Sequence, residues 1–117
     1  MNRNFYRCAH CGSLLTTIEN VNTVPVCCRE PMTRLTANTT DAAHEKHVPV
    51  YEIAGGAVRV RVGSATHPMT EAHYISWIAL VATSGLRVCS LTPERAPEAS
   101  FALAEGEEVL AVYAYCN

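Results

Sequence analysis

Four of the six cysteines crowd into the first 28 residues, as Cys8-x-x-Cys11 and then the adjacent pair Cys27-Cys28. Residues 1–36 hold few large apolar side chains, and a segment that short needs a metal or disulfides in place of a core. A metal would supply its folding energy outright. The Cys-x-x-Cys turn lets two thiolates converge on one ion while nearby backbone N–H groups point at the sulfurs, and Gly12 suits so tight a turn. Cys27-Cys28 is less usual. Neighbours in an extended chain point to opposite sides, so these two share an ion only if the backbone bends between them. The expected product is a distorted tetrahedral site of four sulfurs, a donor set that suits zinc and iron alike. The competing readings are a zinc staple and a Cys27–Cys28 disulfide. His10, between two ligands, reads as an exposed loop residue rather than a fifth donor.

The cellular compartment weighs between metal and disulfide. Met1 to Cys11 carry charge and cysteine without an apolar signal region, and the longest apolar stretch, Tyr74 to Ala82, falls short of a membrane span. The expected location is the cytoplasm, with no membrane partner, where thiols stay reduced and clustered cysteines point to metal. Nine basic against eleven acidic residues give a formal charge of −2. No basic run or aromatic-interleaved basic patch is present to follow a phosphate backbone, which argues against a nucleic-acid partner. Hydrophobic residues make up 49% of the chain and no low-complexity tract interrupts it, so the whole length should fold.

After a polar stretch from Thr36 to Asp41, the natural linker, the pattern changes to short runs of period two. Val48, Val50 and Ile53 precede a Gly55-Gly56 turn, and Val58, Val60 and Val62 then alternate with Arg59 and Arg61. This predicts a β-hairpin with one wet face that carries both arginines. Further runs at Tyr74–Thr83, Leu86–Leu91, Ser100–Leu103 and Val109–Cys116 predict a small antiparallel sandwich, with Ile75, Trp77 and Val81 in its core. Cys89, between Val88 and Ser90, reads as a small buried hydrophobe. The domain expectation is a metal-bound unit over 1–36 and a β-sandwich over 37–117, mainly β throughout.

Four of the five histidines, His44, His47, His67 and His73, lie in the second segment, which carries Cys116 near its end. Imidazoles with one thiolate suit iron, copper or zinc, and Glu45 and Lys46 sit directly before His47. Spacing alone makes this a weak metal signal.

Five strings change that weighting: Phe5-Tyr6-Arg7-Cys8-Ala9-His10-Cys11-Gly12, Cys27-Cys28-Arg29-Glu30-Pro31-Met32, Glu45-Lys46-His47-Val48-Pro49-Val50, His67-Pro68-Met69-Thr70-Glu71-Ala72-His73-Tyr74-Ile75 and Tyr115-Cys116-Asn117. From about Phe5 onward the chain resembles desulfoferrodoxin, the two-iron type of the superoxide reductase family. The resemblance implies a desulforedoxin-like N-terminal domain, of rubredoxin-like type, that binds iron through Cys8, Cys11, Cys27 and Cys28. It implies an immunoglobulin-like sandwich that holds a second iron through His47, His67 and His73 in a plane and the Cys116 thiolate on the axis. It further implies one-electron reduction of superoxide to hydrogen peroxide, rubredoxin or a similar protein as electron donor, and a homodimer.

By the same resemblance Glu45 is the carboxylate that binds the oxidised iron; Lys46, elsewhere a solvated surface residue, is the candidate cation for attracting the anionic substrate, since a chain of net charge −2 needs a local one. The family's motif continues from Cys-Asn through one residue to a histidine, the fourth planar ligand, whereas this sequence ends at Asn117. Three imidazoles and a thiolate are then expected to form an impaired site, unless water, the Asn117 carboxylate or His44 fills the gap. Two rival readings follow: an electron-transfer protein that keeps only the four-cysteine iron, and a zinc-ribbon interaction module on an immunoglobulin-like domain. The second leaves Glu45-Lys46-His47 and His67 to His73 without a purpose.

Overall fold

A computed structural model describes residues 4–19, 22–36, 49–62 and 69–116. The expectations for His44, Glu45, Lys46, His47, His67 and Asn117 lie outside the described residues. The chain divides into two compact units, Met1–Ala37 and Asn38–Asn117. Among the described residues every regular element is a strand and the pairing is antiparallel throughout.

The first unit contains five short strands: β1 (Phe5–Arg7), β2 (Leu14–Thr16), β3 (Val26–Cys27), β4 (Glu30–Pro31) and β5 (Thr33–Arg34). They form a three-stranded sheet in the order β2-β1-β5 and a separate β3-β4 hairpin. Its buried apolar cluster is Tyr6, Cys8 and Met32, with Cys27 packed against it. Two of those four side chains are candidate metal ligands, so the unit has almost no core apart from its cysteines.

The described residues of the second unit form six strands: β6 (Pro49–Ala54), β7 (Ala57–Val62), β8 (Ile75–Ala82), β9 (Gly85–Ser90), β10 (Glu98–Ala102) and β11 (Val109–Cys116). They form two sheets, β10-β7-β6 and β11-β8-β9, which share one core of Val58, Val60, Val62, Ala99 and Phe101 with Ile75, Ile78, Leu80 and Ala82. This is the expected immunoglobulin-like sandwich. Burying each large aliphatic chain stabilises the fold by about 1.5–3 kcal/mol, and Ile75, Ile78, Leu80, Val58, Val60 and Val62 are all essentially inaccessible.

The wet face of β7 is as the alternation predicts. Arg59 pairs across to Glu52 and Ser100, and Arg61 to Val50 and Glu98, all exposed positions. The Gly55-Gly56 turn joins β6 to β7 with φ of 59° and 77°, the two positive values that a two-residue type I′ hairpin requires.

The second sheet departs from the sequence expectation in one respect. Ile78, Leu80 and Ala82 belong to the core, so the alternation of β8 turns Trp77, Ala79 and Val81 to the sheet's other face. Val81 and Ala79 are nonetheless buried there, whereas Trp77 is only half-buried and stacks on Tyr115. Ile75 is core as expected, and Cys89 packs partly buried against the core. The edge strand β9 turns Arg87 to the Leu80 side, and Glu107 from the acidic turn answers it. The Glu107 side chain is 2% exposed and its Oε1 lies 2.5 Å from Arg87 Nη2. It also accepts hydrogen bonds from the Ser84 hydroxyl and, at 2.9 Å, from the Ala104 N–H.

Candidate functional site

The first knuckle is built by backbone hydrogen bonds. Cys8 N–H donates to the Ser13 carbonyl at 2.9 Å and Gly12 N–H to the Cys8 carbonyl at 3.0 Å, and Gly12 takes a φ of 78°, a conformation that carries no steric cost only for glycine. Within this turn Cys11 N–H donates to Cys8 Sγ at 3.5 Å. Ser13 Oγ lies 3.1 Å from Cys11 Sγ.

The second knuckle answers how adjacent cysteines face one ion. Val26 pairs with Pro31 and Cys27 with Glu30, so Cys28 and Arg29 are the two central residues of a hairpin turn. Their φ values are 50° and 67°, the type I′ geometry that usually calls for Asn-Gly. The turn rotates the chain between the neighbours and brings Cys27 Sγ and Cys28 Sγ to 3.9 Å.

All four sulfurs lie within 4.8 Å of one another. Sulfurs held about 2.3 Å from a central ion at tetrahedral corners stand about 3.8 Å apart. Cys11 Sγ to Cys27 Sγ is 3.7 Å and Cys27 Sγ to Cys28 Sγ is 3.9 Å. A disulfide needs about 2.05 Å, and all six cysteines are free. The cluster therefore fits an iron site of the desulforedoxin type.

The thiols divide by their neighbours. The Cys11 N–H lowers the Cys8 thiol below its ordinary range, and the Ser13 hydroxyl and N–H bring Cys11 down to about 6. Contact with Cys11 first, then Cys8 and Cys28, pushes Cys27 up to about 12, and Cys8 and Cys11 push Cys28 upward. Four sulfurs this close cannot all be anionic without a cation among them, which is the behaviour of a site made to bind one. His10 is exposed as expected and reaches across the two knuckles, its Nε2 2.9 Å from Glu30 Oε2. Sequence reasoning did not single out Ser13 or Glu30; a hydroxyl two residues after a ligand was the available signal for the first.

Of the second proposed site the described residues carry His73 and Cys116. Thr70 and His73 exchange both backbone hydrogen bonds, at 3.0 and 3.1 Å, around the two-residue turn Glu71-Ala72. Met69 steadies this hairpin: its carbonyl accepts from Glu94 N–H at 3.0 Å and its sulfur from Ile75 N–H at 3.4 Å. The hairpin leads into β8, where Ile75 is the partner of Cys116. His73 thus stands two residues before the residue paired with Cys116, so both belong to the same end of the sheet. Cys116 packs against the core, and burial raises its thiol above the ordinary range.

Residues 39–117 match the family model described as Desulfoferrodoxin. Over 112 residues the chain is 44% identical to desulfoferrodoxin of Syntrophotalea carbinolica and 43% identical to that of Nitratidesulfovibrio vulgaris, covering 96% of this chain and 87% of each relative. The crystal structure of the superoxide reductase from Treponema pallidum superposes with a TM-score of 0.83 at 36% identity, over 100% of this chain and 93% of that one. Its four-sulfur cluster, its two-sheet sandwich and these likenesses agree on one assignment: the chain belongs to the desulfoferrodoxin family.

Proposed function

We propose that this chain is a superoxide reductase, which takes superoxide, one electron and two protons to hydrogen peroxide. The observation that supports the reading is the pairing of Ile75 with Cys116, by which Cys116 and His73, two residues before Ile75, belong to one end of the sheet, in a chain similar to a solved superoxide reductase. His47, His67, His73 and Cys116 would hold a second iron, and Cys8, Cys11, Cys27 and Cys28 the first. When bound at the histidine and cysteine site, iron supplies the single electron.

The remaining chemistry falls to the chain's own side chains. Lys46 directly precedes His47 in the sequence, and with a net charge of −2 a local cation would attract the anionic substrate. Lys46 would also orient a water that donates a proton to the reduced oxygen. Glu45 offers a hard carboxylate that favours the ferric state over the ferrous. Cys116, with its thiol raised by burial, must lose its proton to serve as a ligand. Electrons come from rubredoxin or a similar small iron protein, the assembly is a homodimer, and the location is the cytoplasm. No helix among the described residues is long and apolar enough to cross a membrane.

Metal analysis and pulse radiolysis test this reading together. Two irons per chain, with a thiolate-to-iron band separate from the four-cysteine spectrum, and rapid superoxide consumption are expected. Lys46→Ala should slow the second-order reaction severalfold and flatten its salt dependence. One iron per chain and no superoxide consumption would instead establish an electron-transfer protein that uses the four-cysteine site alone.

A further inference from the structure

The β8–β11 ladder runs in step from Val81 and Ala111 to Trp77 and Tyr115, and then slips. Cys116 pairs with Ile75, so Ser76 is left as an extra residue on β8. Such a bulge bends its strand and re-aims the side chains beside it. Alternation along β11 sets the face that Cys116 takes, while its placement against Ile75 across the slipped step depends on what fixes the residue before it. Two contacts do so. The Ser76 hydroxyl donates to the Tyr115 carbonyl at 3.3 Å, which closes the slipped step from the side of the extra residue. The Tyr115 ring stacks on Trp77 with centroids 5.5 Å apart and planes 5° from parallel. Ser76 is held in turn from the other edge, its carbonyl accepting the Leu91 N–H at 2.9 Å.

We propose that Trp77 is a positioning residue for the Cys116 thiolate: by clamping the Tyr115 ring, with Ser76 holding the Tyr115 carbonyl, it fixes the bulge that aims the sulfur at the end of the sandwich where His73 stands. This rests on the reading of Cys116 as an iron ligand. A ligand needs its supporting shell locked, since metal sites lose affinity and change their electronic character when outer contacts go. Without the stack, the Tyr115 ring loses its cross-strand partner, and the slipped step before Cys116 rests on the backbone pairing and the Ser76 hydroxyl. In this arrangement Trp77 acts through Tyr115, on whose ring it stacks.

The test uses the full-length, iron-loaded chain with Trp77→Ala, Trp77→Phe and Ser76→Ala, and two measurements. The first is the energy and width of the thiolate-to-iron absorption band that Cys116→Ser abolishes. The second is the rate of alkylation of Cys116 relative to Cys89, read by mass spectrometry; Cys89 packs against the same core and reports general loosening. Trp77→Ala and Ser76→Ala should shift and broaden the band and speed alkylation of Cys116 severalfold while Cys89 stays unchanged, and Trp77→Phe should restore both. A band in Trp77→Ala that superimposes on the parent, or equal acceleration at the two cysteines, overturns the proposal. If Cys116→Ser alters no band, the reading of Cys116 as a ligand fails, and the alkylation ratio still decides by itself whether Trp77 positions the thiol. Should Trp77→Ala not fold, Ser76→Ala carries the same comparison.

Discussion

The turn that lets Cys27 and Cys28 share an ion is built from residues ill suited to it. The sandwich makes the same type I′ turn with Gly55-Gly56, whereas the metal unit makes it with Cys28 and Arg29 at φ of 50° and 67°. An L-residue in this left-handed conformation costs roughly 1–2 kcal/mol. Cys28 is fixed by its sulfur; Arg29 is exposed and can be changed. Arg29→Gly removes the clash but returns some backbone entropy to the unfolded chain, for a net stabilisation of about 1 kcal/mol. Arg29→Val adds a branched Cβ and costs about 1 kcal/mol more than arginine. Among the described residues the unit's buried apolar cluster is Tyr6, Cys8 and Met32 with Cys27 packed against it, so metal binding should be coupled to folding and the turn's strain should show in the apparent metal affinity. The span of about 2 kcal/mol from glycine to valine is roughly 30-fold. Chelator competition at fixed pH, followed at the thiolate-to-metal band, measures it. Arg29→Ala separates strain from charge, because it keeps the Cβ and loses the cation: strain predicts that alanine behaves like arginine. Glycine and valine variants that retain metal within a factor of three of each other would refute the argument.

Two further outcomes concern the sandwich. Leu80→Ala should cost about 2–5 kcal/mol, because Leu80 is fully buried in the shared core, while Val88→Ala, at a position 53% exposed, should stay within about 0.5 kcal/mol of the parent; urea melts that rank them the other way contradict the assignment of faces. Arg87 first, then Ser84 and the Ala104 N–H, hold Glu107 down to about 2, below the ordinary carboxylate range of about 4.3. A depressed folded-state value means that Glu107 stabilises the fold above about pH 4.3 and that this contribution fades as pH falls toward 2. Glu107→Gln should therefore be less stable at neutral pH and show a shallower loss across that window, and parallel stability curves for the two proteins would remove Glu107 from the acid response.

The wet hairpin was legible because Val58, Val60 and Val62 alternate with two arginines, so only one register buries the valines. The strand Ile75–Ala82 was legible as a strand but not as to which side is core. Ile78, Leu80 and Ala82 on one face and Trp77, Ala79 and Val81 on the other are all apolar, and hydrophobicity cannot choose between them. The Leu80 side is fixed by the opposite sheet, which supplies Val58, Val60 and Phe101, a long-range fact absent from the local pattern. The inward Arg87 was hidden for the same reason. It lies inside an apolar run, and the carboxylate that answers it comes from a turn twenty residues later.

At the four-cysteine cluster and at Cys116 the limits are chemical. The adjacent cysteines announced that the backbone must bend, yet nothing in Cys-Arg suggests a type I′ turn, because the sequence that usually marks one is Asn-Gly. The metal supplies the reason to tolerate it: a turn of poor intrinsic propensity persists when the interaction it permits is worth more than its strain. The same logic applies to Cys116. Period two carries Val112, Ala114 and Cys116 to one side of β11, so the thiol's face was readable, but the slip at Ser76 was not, since a serine between Ile75 and Trp77 looks like any polar alternation. On the proposed reading of Cys116 the strand must both close a sheet and aim a ligand, two demands that regular pairing does not satisfy together. The extra residue, its hydroxyl on the Tyr115 carbonyl and the stacked rings beside it are how this chain reconciles them.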